Sequence, residues 1–237
     1  MKRSLLLVSL LLSTGPATAR GESPRIGSFE LGAGPYRPSI DAQAGLAEPL
    51  PYQDVFGKDR QYMFRAGISR AIFTFPGALE VGFRTGYFRN SGHGYQKDGN
   101  GNLTNIRSAE TTTFNIVPTS LTLTYRFDLL ADRVGIPFAP YGRVALERYN
   151  WWITGSSGAM GKKGATNGYS ATAGLAFLLD FLDSGLAREL DLDTGINHTY
   201  LFADVTKSWV KDFGSSTSWD LSDTKRVSFA LGILFVF

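Results

Sequence analysis

Two histidines, a glycine- and asparagine-rich segment and one dense acidic run hold the residues of this chain whose types and spacing could support chemistry. His93 lies in "RNSGHGYQKDGNGN" and His198 in "GINHTYLF". Imidazole acid–base work needs a partner held within hydrogen-bond reach, and neither stretch supplies one nearby. His93 reads as a solvated loop residue and His198 as a structural residue beside a turn. Asp98, Asn100 and Asn102 match the first ligand positions of a calcium loop. Leu103 then stands where glycine is required and Ala109 where a bidentate glutamate is required. The segment therefore reads as an Asn/Gly turn. Glu189, Asp191 and Asp193 in "SGLARELDLDTG" read as a short helix or solvated turn. No phosphate-binding loop, nucleophile elbow, zinc spacing or dinucleotide fingerprint occurs. No catalytic residue, cofactor or metal ligand is assigned.

Bulk composition narrows the classes further. Lys2 and Arg3, the apolar run Leu5–Leu12 and the sequence Ala17-Thr18-Ala19 form a signal-peptide pattern over residues 1–19. The apolar run is far short of the ~20 residues of a spanning helix. Residues 20–237 are then the folded part. Taking Lys2 and Arg3 from the 24 basic residues leaves 22 against 21 acidic ones, so no basic footprint for nucleic acid remains. Cysteine is absent, which excludes a disulfide framework. Export, 13% aromatic residues and 27 glycines leave a β-sandwich or an outer-membrane β-barrel.

Period-two alternation predicts strands over 27–36, 60–72, 79–88, 111–127, 138–152, 169–182, 196–208 and 225–237. The connections alternate in length: 37–59, 89–110, 153–168 and 209–224 are long, the others short or compact. That alternation favours an all-β, antiparallel up-and-down transmembrane barrel of eight strands, with both termini on the periplasmic side. Ten strands, with an extra hairpin in 37–59, is the alternative. Glu30, Arg65, Glu80, Arg84, Arg126, Arg143, Glu147 and Asp204 fall on the polar faces at mid-strand, where lysine is nearly absent. Arginine with carboxylates suits a crowded lumen, because bidentate contacts offset desolvation. Eight strands leave an interior that side chains can fill. Trp151, Trp152, Trp209 and Trp219 fall at strand ends on the long-loop side and predict an interface girdle. Pro118 predicts a bulge that swaps the faces of its strand, and the register blurs near Arg148.

The last strand places Phe229, Leu231, Ile233, Phe235 and Phe237 on one apolar face. It resembles the C-terminal signal read by the outer-membrane assembly machinery. More widely, "GPYRPSID", "PYQDVFG", "LEVGFRTGYF", "YRFDLLADRVGIPFAPY", "NWWITG" and "GLAFLLDFLDSGLARELDLDTGINHTYLF" resemble a family of predicted outer-membrane β-barrels known mainly from myxobacteria. More distantly the chain is similar to small OmpA-like barrels. The resemblance implies a barrel in the outer membrane and brings no activity. The expected function is a non-enzymatic envelope barrel whose loops bind surface partners. A narrow solute channel is the second reading and a barrel enzyme acting on lipid or protein the third. The expected partners are outer-membrane lipid, lipopolysaccharide and the assembly machinery, with the chain a monomer.

Overall fold

The structure, a computed structural model, describes residues 24–43, 46, 50–74, 76–100, 103–156, 160–215 and 218–237. The expected signal peptide, residues 1–19, lies outside them. Eight antiparallel strands close into one up-and-down barrel, each paired with its sequence neighbours. They are β1 (Gly27–Tyr36), β2 (Gln61–Phe73), β3 (Ala78–Lys97), β4 (Leu103–Arg126), β5 (Phe138–Thr154), β6 (Met160–Leu178), β7 (His198–Trp209) and β8 (Ser228–Val236). Pairing of Ser28 with Val236, Phe29 with Phe235 and Leu31 with Ile233 joins the last strand to the first. The segment 37–59 carries a 3-10 turn at Ile40–Ala42 and one helical turn, α1 (Gln53–Phe56), where the ten-strand alternative needed a hairpin.

The β1–β2, β3–β4, β5–β6 and β7–β8 connections share one rim, the loop side; the other rim is the turn side. Two segments expected as loops, 89–110 and 153–168, are mostly strand. The β3–β4 pair continues to Lys97 and Leu103, and the β5–β6 pair to Thr154 and Met160. Register shifts near Tyr95 and between Trp152 and Thr154 blurred their alternation. On the turn side, α2 (Leu129–Val134) fills the β4–β5 connection and α3 (Ser184–Thr194) the β6–β7 connection. Asp183 caps α3, its Oδ1 accepting from the amides of Gly185 and Leu186 at 3.0 Å. Gly195, at φ 73°, ends the helix in the left-handed conformation that glycine adopts without strain.

Pro118 does not swap the faces of β4. The β3–β4 ladder resumes in the same register on either side, from Thr85↔Thr119 to Phe88↔Ile116, and β4–β5 runs through Pro118↔Tyr149 without a break. Thr85 Oγ1 donates to the Pro118 carbonyl at 3.1 Å where the ladder is thinned. Phe114 and Ile116 therefore share the inward face of Ser120, Thr122, Thr124 and Arg126. Around Arg148 the register is equally regular, and that side chain points outward.

Most outward positions between the rims are apolar. Leu31, Phe64, Ile68, Val81, Phe83, Leu121, Leu123, Val144, Leu146, Leu175, Leu201, Phe229 and Leu231 are all exposed. Tyr62, Tyr87, Tyr169 and Trp209 form an outward aromatic row toward the loop side. Arg89 on β3 and Asn167 on β6 occupy the next outward positions.

Candidate functional site

The barrel interior is built in layers. Nearest the turn side, Ala139, Tyr141, Ala176, Tyr200, Phe202, Leu234 and Val236 form an apolar cluster. Glycines make room for its large rings. A methyl group at Gly32 would stand 2.9 Å from Phe202 Cζ, and Gly232 faces the same ring. The aromatic side chain of one strand thus lies over the bare backbone of its neighbours.

All eight predicted lumen charges lie on the inward face, and seven of them join ion pairs or charged hydrogen bonds across the interior. Arg126 Nη1 lies 3.0 Å from Glu80, and its Nε donates to Asp128 at 2.7 Å. Glu80 also accepts from Ser28 at 2.7 Å and from Ser69. Arg143 bridges to Glu30, and its Nε donates to Thr124 at 2.9 Å. Arg84 lies between Glu30 and Glu147, at 3.8 and 3.7 Å. Glu147 accepts from Ser120 and, at 2.6 Å, from Ser170. Tyr141 donates to Asp204 at 3.0 Å. Arg65 reaches the Tyr149 hydroxyl only at 3.5 Å, the long limit of a hydrogen bond. Four arginines face four carboxylates, so the lumen layer is balanced in formal charge without Asp128. Asp128, on the turn after β4, was not among the predicted residues; its spacing two positions beyond Arg126 continues the inward parity.

Toward the loop side the inward face becomes apolar again. Tyr36, Ile40, Tyr52, Met63, Phe88, Phe114, Ile116, Tyr149, Val210 and Leu221 form one buried cluster. This plug was missed from the sequence, although the unbroken parity from Phe114 to Arg126 signals it. The loops are stitched over it. Tyr36 donates to the Leu221 carbonyl at 2.5 Å, and Arg60 holds Asp223 through two bonds of 2.7 and 2.6 Å. Asp41 accepts from the amides of Tyr52 and Gln53 at 2.8 and 2.9 Å. Burial pushes the Tyr52 phenol up to about 12, against a smaller opposing pull from the Asn90 amide, which donates to it at 2.9 Å.

Little space is left between the layers. The void beside Glu30, Arg65, Arg84 and Asp204 holds about 20 Å³, and that beside Glu80, Arg126 and Arg143 about 10 Å³. Each has room for about one water molecule.

The four tryptophans do not form one girdle. Trp151 and Trp219 stack with centroids 4.1 Å apart and pack against the interior plug. Trp152 points outward but lies beyond Arg148 and Asn150, in the projecting hairpin. Trp209 alone takes a girdle position, stacked on Tyr169 at 5.1 Å. Phe229, Leu231, Ile233 and Phe235 lie on the outward face of β8. Phe237 closes the ring by backbone bonds, its carbonyl accepting from Ile26 and Gly27 at 2.7 and 2.8 Å.

The chemistry-bearing stretches stay apart. His93 is exposed on the β3 hairpin, while His198 Nδ1 lies 2.6 Å from Asp180 Oδ2 at the turn-side rim. Asp98 accepts from the Asn100 amide at 2.9 Å, an Asx turn, and Asn102 lies outside the described residues. Glu189, Asp191 and Asp193 sit on α3. Among the described residues no three His, Asp or Glu side chains converge as a metal site.

No protein-family model and no curated protein matches the sequence. The chain path is similar to that of the N-terminal β-barrel domain of Pseudomonas aeruginosa OprF. Identity is 14%, the TM-score 0.44, and the match covers 90% of this chain and 100% of that one. It is also similar to Ail, the attachment invasion locus protein of Yersinia pestis, at 10% identity and a TM-score of 0.37, covering 90% and 99%.

Proposed function

We propose that the chain is an outer-membrane β-barrel that works as a sealed, non-enzymatic envelope protein, with its loop side facing outward and both termini in the periplasm. Its apolar exterior and ion-paired interior invert the usual soluble arrangement, as lipid around a closed barrel requires. The polarity flips back above the aromatic row: Asn115, Arg148 and Asn167 face out while Phe114 and Ile116 face in. That flip marks where lipid gives way to water. Outer-membrane lipid and the barrel-assembly machinery are the partners this reading implies, and the assembly face is Phe229, Leu231, Ile233, Phe235 and Phe237.

The observation that carries the sealed reading is the stacking of two apolar clusters above and below a balanced ion-pair layer. A solute would have to displace all three. Planar-bilayer recordings of the refolded chain test this. Steady single-channel conductance would overturn it in favour of a narrow channel; a silent bilayer supports it. Cell fractionation with heat-modifiable gel mobility tests the membrane assignment, and recovery from the soluble periplasm would defeat it.

A further inference from the structure

From the geometry we infer that the wall between β7 and β8 carries a docking site for the phosphorylated headgroup of an outer-leaflet lipid. The inference rests on the membrane reading above. An open cleft of about 500 Å³ lies where β7 runs past the start of β8, bordered by the segment 222–226. Lys207, Lys211, Lys225 and Arg226 line it. None of the four forms an ion pair within the described residues. Of the two acids lining the cleft, Asp223 is already held by Arg60, and Asp220 accepts from the Ser222 amide at 2.9 Å. The cleft therefore keeps an excess of positive charge.

Placement decides the ligand. Lys207 is the outward residue directly above Val205, Ala203 and Leu201 on β7, and Phe229, 60% exposed, heads the outward column of β8. Trp209 borders the cleft, with the Lys207 ammonium 5.9 Å from its ring. Cations thus cap an apolar column at the aromatic row. Acyl chains would lie along Phe229 and Val205 while the phosphates meet the lysines and arginine. Lys162 and Lys163, on the projecting β5–β6 hairpin, lie higher and outside the cleft.

The folded chain in zwitterionic detergent is titrated with diphosphorylated lipid A, with the same lipid stripped of phosphate, and with inorganic pyrophosphate. Retained ligand is read by native mass spectrometry. Phosphorylated lipid should be retained at least about tenfold more than the stripped form, as several interfacial cations imply. The variant Lys207→Gln/Lys211→Gln/Lys225→Gln/Arg226→Gln should fall to the stripped level with its heat-modifiable mobility intact. Lys162→Gln/Lys163→Gln should bind as the parent does. Equal retention of both lipids, equal loss in the two variants, or pyrophosphate held as firmly as the lipid would overturn the site. A parent chain without heat-modifiable mobility would instead overturn the membrane reading beneath it.

Discussion

Trp151 on β5 and Trp219 in the β7–β8 connection lie face to face, 4.1 Å between centroids and 17° between planes. The pair ties the last loop to the barrel wall, with Phe114 against both rings at 6.2 and 5.9 Å. Trp219→Ala should cost about 2 kcal/mol, less than a fully buried aromatic because Trp219 is half-buried. It should also open the β7–β8 loop to protease. Trp152→Ala should stay within about 0.5 kcal/mol, having no place in the plug. Urea unfolding of the vesicle-inserted chain, with limited proteolysis, checks both.

Arg126 holds two buried carboxylates, Glu80 at 3.0 Å and Asp128 at 2.7 Å. Arg126→Ala leaves Glu80 and Asp128 buried without their cation and should destabilise by about 3–5 kcal/mol. Arg148→Ala removes an outward guanidinium whose bond to Asn167, at 3.1 Å, is exposed, and should be nearly neutral. Similar unfolding midpoints for the two variants would refute the layered interior.

Tyr52 makes loop closure sensitive to alkali. Its folded phenol titrates near 12 against an ordinary 10, so the neutral form is favoured by folding. The stabilisation is complete below pH 10 and is lost as pH rises from 10 toward 12. A tyrosinate titration of the parent minus that of Tyr52→Phe should show one group ionising near 12. A difference curve centred near 10 would place the hydroxyl in water.

Phe237 differs from its fellow aromatics on β8 in what its backbone does. Deleting it removes two acceptor bonds to Ile26 and Gly27 and one donor bond to the Gly27 carbonyl. Phe229→Ala removes only an exposed ring. Deletion should sharply lower the yield of folded, heat-modifiable barrel in cells, and Phe229→Ala should lower it little.

The strand plan was legible because period-two alternation survives wherever one face meets a different medium from the other. It failed in 89–110 and 153–168, where the hairpins stand clear of the wall and register shifts scramble the parity. The lumen charges were legible because mid-strand Arg and Glu have few other places to go. Their serine, threonine and tyrosine partners were not, since hydroxyls fit either face. The plug was hidden by the assumption that apolar means outward. Phe114 and Ile116 obey the parity of Arg126 and reverse only its polarity. Trp151 was misplaced for the same reason, and Trp219 because a loop residue has no parity to read.

The β1–β8 seam sets a timetable. Ser28 meets Val236, so the contact completing the ring joins residues from opposite extremes of the sequence. Until the last dozen residues arrive, every earlier hairpin ends in an open edge, and the lumen charges lack the wall that brings Glu30 to Arg143. A nascent or truncated chain can gain little from partial order. Loop-closure entropy is largest for this pairing, so the β1–β8 ladder is expected to form last and to lock the ring when it does.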